Sequence, residues 1–108
     1  MENLNRVEIR GAVGSAHHFQ NEFGKFVRLS VCTQFVYRNR DGNAEIETTW
    51  HSVIVHVGKN VELPEGLEKG SVVQITGRIR PQRYVDCNGE ARSTYEIVAH
   101  ECSVISQK

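Results

Sequence analysis

The side chains best equipped for covalent or acid–base chemistry are Cys32, Cys87 and Cys102 and the histidines His17, His18, His51, His56 and His100. A nucleophilic thiol needs a neighbouring base and an electropositive, accessible setting. Neither Cys32 nor Cys102 has one in the sequence, and Cys87, in a turn, offers reactivity without a mechanism. Structural zinc is typically held by paired ligands such as C-x-x-C; no C-x-x-C and no H-x3-H pair is present, and the adjacent His17 and His18 point apart. There is no Gly-rich phosphate loop, no G-x-S-x-G and no H-E-x-x-H. The expectation is a protein that is not an enzyme and has no catalytic residue, no metal and no cofactor.

Rings and cations suggest a different chemistry. Tyr37, Trp50, His56 and Tyr84 are accompanied by Arg28, Lys59, Arg78, Arg80 and Arg83. Unpaired bases offer π-faces for stacking at about 1–3 kcal/mol each, and every phosphate linkage offers a charge to a guanidinium or ammonium group. Single-stranded nucleic acid is therefore the ligand these residue types suit. The plainer reading has Trp50 covering a subunit interface and the arginines as ordinary surface charge. Charge distribution favours the first reading. Thirteen basic residues balance thirteen acidic ones, yet residues 78–92 carry four arginines against Asp86 and Glu90, while residues 60–70 carry Glu62, Glu65 and Glu68 against Lys69. Basic and aromatic residues are interleaved only in the first of these.

The elements that must position these residues are strands. At 108 residues the chain has the length of one domain, spanning 1–108. No apolar run approaches the roughly 18–20 residues of a membrane span, and Met1 opens a polar stretch, so a soluble, cytosolic protein is expected. The dominant period is two, broken by Gly, Asn and Asp clusters. A first strand runs from about Leu4 to Val13, with a loop from Gly14 to Gly24. A second strand, Phe26 to Tyr37, joins a third, Ile46 to Val57, through the Asp41-Gly42-Asn43 turn. In the third, His51, Val53 and Val55 share a core face, leaving Trp50, Ser52, Ile54 and His56 outward. Tyr37 falls on the core parity and reaches the surface only beyond the barrel or past a bulge. A helical turn or two is expected between Asn60 and Lys69. The fourth strand starts near Val73 and is interrupted by Pro81. After a turn at Asp86-Cys87-Asn88-Gly89, the last strand covers Ser93 to His100, and a short tail holds Val104 and Ile105.

Five strands with a short helical segment between the third and fourth match an all-β oligonucleotide/oligosaccharide-binding barrel; composition alone also admits a sandwich or an SH3-like barrel. Gly11 and Gly77, inside strands, suit the sharp coiling that closes a small barrel.

Four segments also resemble the bacterial single-stranded-DNA-binding protein family, in the family's order. They are Asn5 to Gly11, Thr49-Trp50-His51-Ser52-Val53, Lys69 to Arg80 and Tyr84 to Arg92, and the resemblance spans about residues 4–105. It implies an oligonucleotide-binding fold, a homotetramer or dimer in which first strands pair, and binding of single-stranded DNA without strong sequence preference. It places the base-stacking aromatics on Tyr37, Trp50 and Tyr84. The fourth platform, usually Phe before Gly-Lys, falls near His56 and Val57 because one extra residue precedes Gly58-Lys59. His51 takes an interface or structural role.

Chromosomal family members end in a long tail with an acidic, Phe-containing tip that recruits replication and repair proteins. That tip is absent from Ser106-Gln107-Lys108. The expectation is a tail-less relative, similar to the primosomal replication protein N group or to mobile-element copies, or a chain whose tail was removed. Its implied setting is the bacterial cytoplasm, with the nucleoid, in DNA replication, recombination or repair. The alternative is a primosome-type adaptor that chiefly holds partner proteins.

Overall fold

The computed structural model describes residues 2–58 and 67–106. Their strands are β1 (Val7–Asn21), β2 (Gly24–Arg38), β3 (Ala44–His56), β4 (Val72–Val85) and β5 (Ala91–Ser106). They close into a barrel in the order β1-β2-β3-β5-β4, antiparallel except where Val53–Val55 meet Ile97–Ala99 in parallel. The all-β barrel expected from the strand order is observed. Lys59, and most of the segment expected to be helical between Asn60 and Lys69, lie outside the described residues. Beyond them, a turn in which the Ser71 N–H donates to the Glu68 carbonyl (3.1 Å) leads into β4.

The interior is built by alternation. Val27, Leu29 and Val31 of β2 meet Val53 and Val55 of β3, Val73 and Ile75 of β4, and Ile97, Ala99 and Cys102 of β5. The odd face of β3 is the core face, as the pattern implied. Gly11 and Gly77 lie where neighbouring backbone leaves no room for a side chain: a Cβ would stand 2.2 Å from the Cys32 carbonyl oxygen and 2.1 Å from that of Val98, respectively. Their absent side chains allow strands to approach that closely, which supports the coiling role expected of them.

Two expectations of strand extent are corrected, both because a bulge resets the alternation. Gly14 to Asn21 is strand, not loop. β1 bulges between Val13 and Ser15 and then continues against β2 as far as Asn21 opposite Gly24, so the inward positions change from Val13 to Ala16. The Glu22-Phe23 turn is closed by the Asn21 side chain, whose Oδ1 accepts the Phe23 N–H (2.8 Å), and by Gly24 at φ 126°. Likewise β5 does not end at His100. The register shift opposite Thr76/Gly77 turns Cys102 and Val104 inward, so the supposed tail is the last six residues of β5. An inserted residue moves every later side chain to the opposite face, which conceals the strand from a period-two reading.

Pro81 does not interrupt β4. Asn5 supplies the hydrogen bonds of the neighbouring edge there: its Oδ1 accepts from the Ile79 N–H (3.0 Å) and its Nδ2 donates to the Ile79 carbonyl (2.7 Å). Backbone polar groups alternate sides along a strand, so Pro81, two residues on, points its missing donor toward that same open edge. The ladder to β5 continues through Pro81 opposite Tyr95 to Val85 opposite Ala91. The outer parts of β2–β3 and β4–β5 thus project from the barrel as two hairpin arms with exposed side chains on both faces.

Candidate nucleic-acid interface

Trp50 sits on the outward face of β3, with 58 % of its surface exposed. It pairs with Cys32 of β2, and its six-membered ring rests on the Gly14 bulge of β1. On one side of the indole a cleft of ≈ 390 Å³ runs between Ser15, His17, Arg28, Ser30 and Ser52. On the other side a smaller cleft, ≈ 240 Å³, is walled by Ile79, Tyr95 and Glu96. The ring therefore stands between two grooves with a guanidinium beside one of them. His51 points the other way and shares a 2.8 Å hydrogen bond with the Thr33 hydroxyl, in keeping with the structural role expected of it.

Arg78, Arg80 and Tyr84 lie on the even face of β4, continuous across β5 with the outward face of β3. Tyr84 is half exposed, at 50 %. Arg80 is held in place: its Nε donates to Glu96 Oε1 (2.7 Å), and its Nη2 lies 2.5 Å from the same oxygen. The Glu96 side chain is 1 % exposed, and its Oε2 has no partner among the described residues. Arg83 falls on the opposite face of this arm.

Tyr37 reaches the surface because it lies beyond the barrel, not because of a bulge. The β2–β3 register runs unbroken from Cys32 opposite Trp50 to Tyr37 opposite Glu45, an odd number of steps, so Tyr37 and Trp50 occupy opposite faces of the ribbon. Tyr37 is 39 % exposed, and its ring stacks on Phe35 at 6.4 Å between centroids. Its hydroxyl donates to Glu45 Oε2 (2.7 Å), while Asn39 donates to Oε1 (2.8 Å). These bonds hold the Glu45 carboxyl below the ordinary carboxylate range, and the same Glu45 bond raises the Tyr37 phenol.

His56 is exposed at the end of β3, where Phe26 stacks on it at 4.8 Å and 22°. Phe26 in turn stacks on Phe19 at 5.4 Å and 16°, and Phe19 lies 6.3 Å from His17. Of this four-ring series only His56 was singled out in the sequence for base stacking. Phe19 and Phe26 flank Asn21-Glu22-Phe23-Gly24 at matched distances, a mirror spacing that signals a cross-strand aromatic pair once β1 is extended through Gly14. Among the described residues no group of three His, Cys, Asp or Glu side chains is disposed to hold a metal ion. What the arrangement offers is exposed π-faces and guanidinium charge on one sheet surface.

Comparison with known proteins agrees with this geometry. The model of the single-strand binding protein family matches residues 4–105. A Xylella fastidiosa protein named single-stranded DNA-binding protein 1 is 31 % identical over all of this chain and 82 % of its own length. A single-stranded DNA-binding protein of Xanthomonas axonopodis pv. citri is 37 % identical over 72 % of this chain, covering 43 % of its own length. Among solved structures, a Plasmodium falciparum SSB in complex with ssDNA superposes with a TM-score of 0.77 at 19 % identity, covering 100 % of this chain and 98 % of its own. The single-stranded DNA binding protein of Thermus aquaticus, as a deletion mutant, gives 0.74 at 16 %, covering 95 % and 51 %. Those two likenesses confirm the barrel; the family match, running almost from end to end, means that this chain belongs to the single-strand binding protein family.

Proposed function

We propose that the chain binds single-stranded DNA without strong sequence preference, in support of replication, recombination or repair. The observation that carries this reading is the exposed Trp50 ring, set between two grooves with Arg28 lining one. In this reading Trp50 and Tyr84 stack bases on the outward sheet face, His56 adds a platform at the end of β3, and Arg28, Arg78 and Lys59 hold phosphates. The Arg80 charge is largely occupied by Glu96. Tyr37 and Arg83 meet the same strand of DNA where it passes round the arms. The relatives' names and the complex with ssDNA support the reading. Exposed Phe35, Val36 and Ile46 on one arm and Tyr95 and Val85 on the other support assembly with further copies, a tetramer or dimer, in the bacterial cytoplasm.

Titrating poly-thymidine while following Trp50, the one tryptophan of the chain, tests this directly. Stacking quenches its emission, and affinity falls with salt at about −0.7 per neutralised phosphate. Trp50→Ala, read by anisotropy of a labelled oligonucleotide, should bind roughly 5- to 150-fold more weakly, the equivalent of about 1–3 kcal/mol, and melt near the parent temperature. Unchanged emission and anisotropy on adding DNA would overturn the reading and favour an adaptor that holds proteins.

A further inference from the structure

The bulge at Gly14 does more than support the indole. It moves Ser15 to the outward face of β1, opposite Ser30 of β2, which in turn lies opposite Ser52 of β3. Three hydroxyls thus form one row across three strands, about 10 Å from end to end at the usual strand separation. The row of Cys32 and Trp50 borders it on one side and the row of His17, Arg28 and Ile54 on the other, each about 7 Å away at strand rise. All three serines line the ≈ 390 Å³ cleft that Trp50 and Arg28 share. Ser15 and Ser52 are exposed and Ser30 is half-buried. Hydroxyls aligned across a sheet can bond to one another, yet none of these three has a hydrogen-bond partner among the described residues. Three donors are therefore free over one patch of surface. The permanent charge beside them is positive. Among the described residues Arg28 has no carboxylate partner, and no carboxylate lines the cleft. Convergent O–H donors next to an unpaired guanidinium suit an anion with several acceptor oxygens.

We propose that the Ser15–Ser30–Ser52 row is a phosphate seat, which holds a phosphodiester of single-stranded DNA beside the base stacked on Trp50. The proposal rests on the DNA-binding reading above and adds uncharged contacts to it. The hydroxyls donate to the non-bridging oxygens, while Arg28 neutralises the group from the next row. Hydroxyl donors release no counterions, so the seat adds affinity with little salt dependence. That suits a chain whose acidic and basic residues are equal in number.

The double variant Ser15→Ala/Ser52→Ala alters only exposed side chains and should melt near the parent temperature. It should bind poly-thymidine roughly 10-fold more weakly, the loss of two hydrogen bonds. The slope of log affinity against log salt should stay as in the parent, and Trp50 should still be quenched at saturation. Arg28→Ala should instead make that slope shallower by about 0.7. A thymidine oligonucleotide with methylphosphonate linkages, which carry no charge and one non-bridging oxygen each, should narrow the gap between parent and double variant. The seat is disproved if the double variant binds poly-thymidine like the parent, or if its salt slope falls as that of Arg28→Ala does. It is equally disproved by a gap of full size on the methylphosphonate strand, which would put the serines against base or sugar. Absence of both binding and Trp50 quenching in the parent would sink the DNA-binding reading first, and the seat with it.

Discussion

The indole of Trp50 lies directly on the backbone of Gly14, where a Cβ would stand 2.4 Å from Cζ3 and 2.8 Å from Cη2. The bulge of β1 therefore sets the tilt of the ring from below. Gly14→Ala should push the far end of this flexible side chain aside at little cost in stability, because no backbone atom is in the way. The expected outcome is a shifted Trp50 emission maximum and weaker binding of poly-thymidine, by about fivefold or more, with an unchanged thermal midpoint. A variant with parent affinity would show that the ring works in any orientation.

Removing Arg80 should cost stability before it costs binding. Arg80→Ala leaves the Glu96 carboxylate buried without its ion pair. Breaking a fully buried pair costs about 3–5 kcal/mol. Since the Arg80 side chain is 45 % exposed, solvent screening reduces the figure to about 2 kcal/mol. Urea unfolding should show a lower midpoint at constant slope, while the salt dependence of DNA binding stays as in the parent. A salt slope shallower by about 0.7 would identify Arg80 as a phosphate contact instead.

Acid should loosen the tip of the β4–β5 arm. Asp86 Oδ2 takes Arg92 Nε at 2.9 Å, and its Oδ1 accepts the N–H groups of Asn88 (2.9 Å) and Glu90 (3.0 Å). The Arg92 bond first, then these backbone donors, hold its carboxyl below the ordinary carboxylate range. The folded state thus binds its proton more weakly than the unfolded chain does. The contribution is complete above the unfolded pKa and is lost as pH falls through the lowered folded value. Amide exchange at Asn88 and Glu90, corrected for intrinsic rates, should quicken as pH falls through that range, and Asp86→Asn should abolish the dependence.

The cysteines should separate by reactivity. Cys102 is buried inside the barrel, and burial pushes its thiol up to about 11. Cys87 is exposed in the β4–β5 turn. Since the thiolate is the nucleophile, iodoacetamide at neutral pH should label Cys87 first and Cys102 only after denaturation. Cys32, half-buried opposite Trp50, should be labelled more slowly when poly-thymidine is present.

Alternation alone revealed the core of β2 and β3 and the outward placement of Trp50, because no bulge breaks their pairing. Polar Asp-Gly and Asn-Gly signals located both arm tips, where Gly42 and Gly89 take positive φ. The rest escaped for two physical reasons. A single inserted residue at Gly14, and another near His100, reversed the faces, so the second half of β1 and the last six residues of β5 read as loop and tail, and the pairing of Phe19 with Phe26 went unnoticed. A sequence also does not show which cation is taken: nothing local to Arg80 announces that Glu96, sixteen residues away, has claimed it, and the ribbon parity of Tyr37 has meaning only once the arm is known to leave the barrel.

Beyond Asn5 the outer border of β4 is left without a neighbouring strand among the described residues, and such borders invite copies of the same protein to add on and polymerise. Pro81 stands on that border with a ring where a donor belongs. A stray strand laid alongside meets a gap in the bonding pattern, so the arm can stay long and extended without seeding fibres.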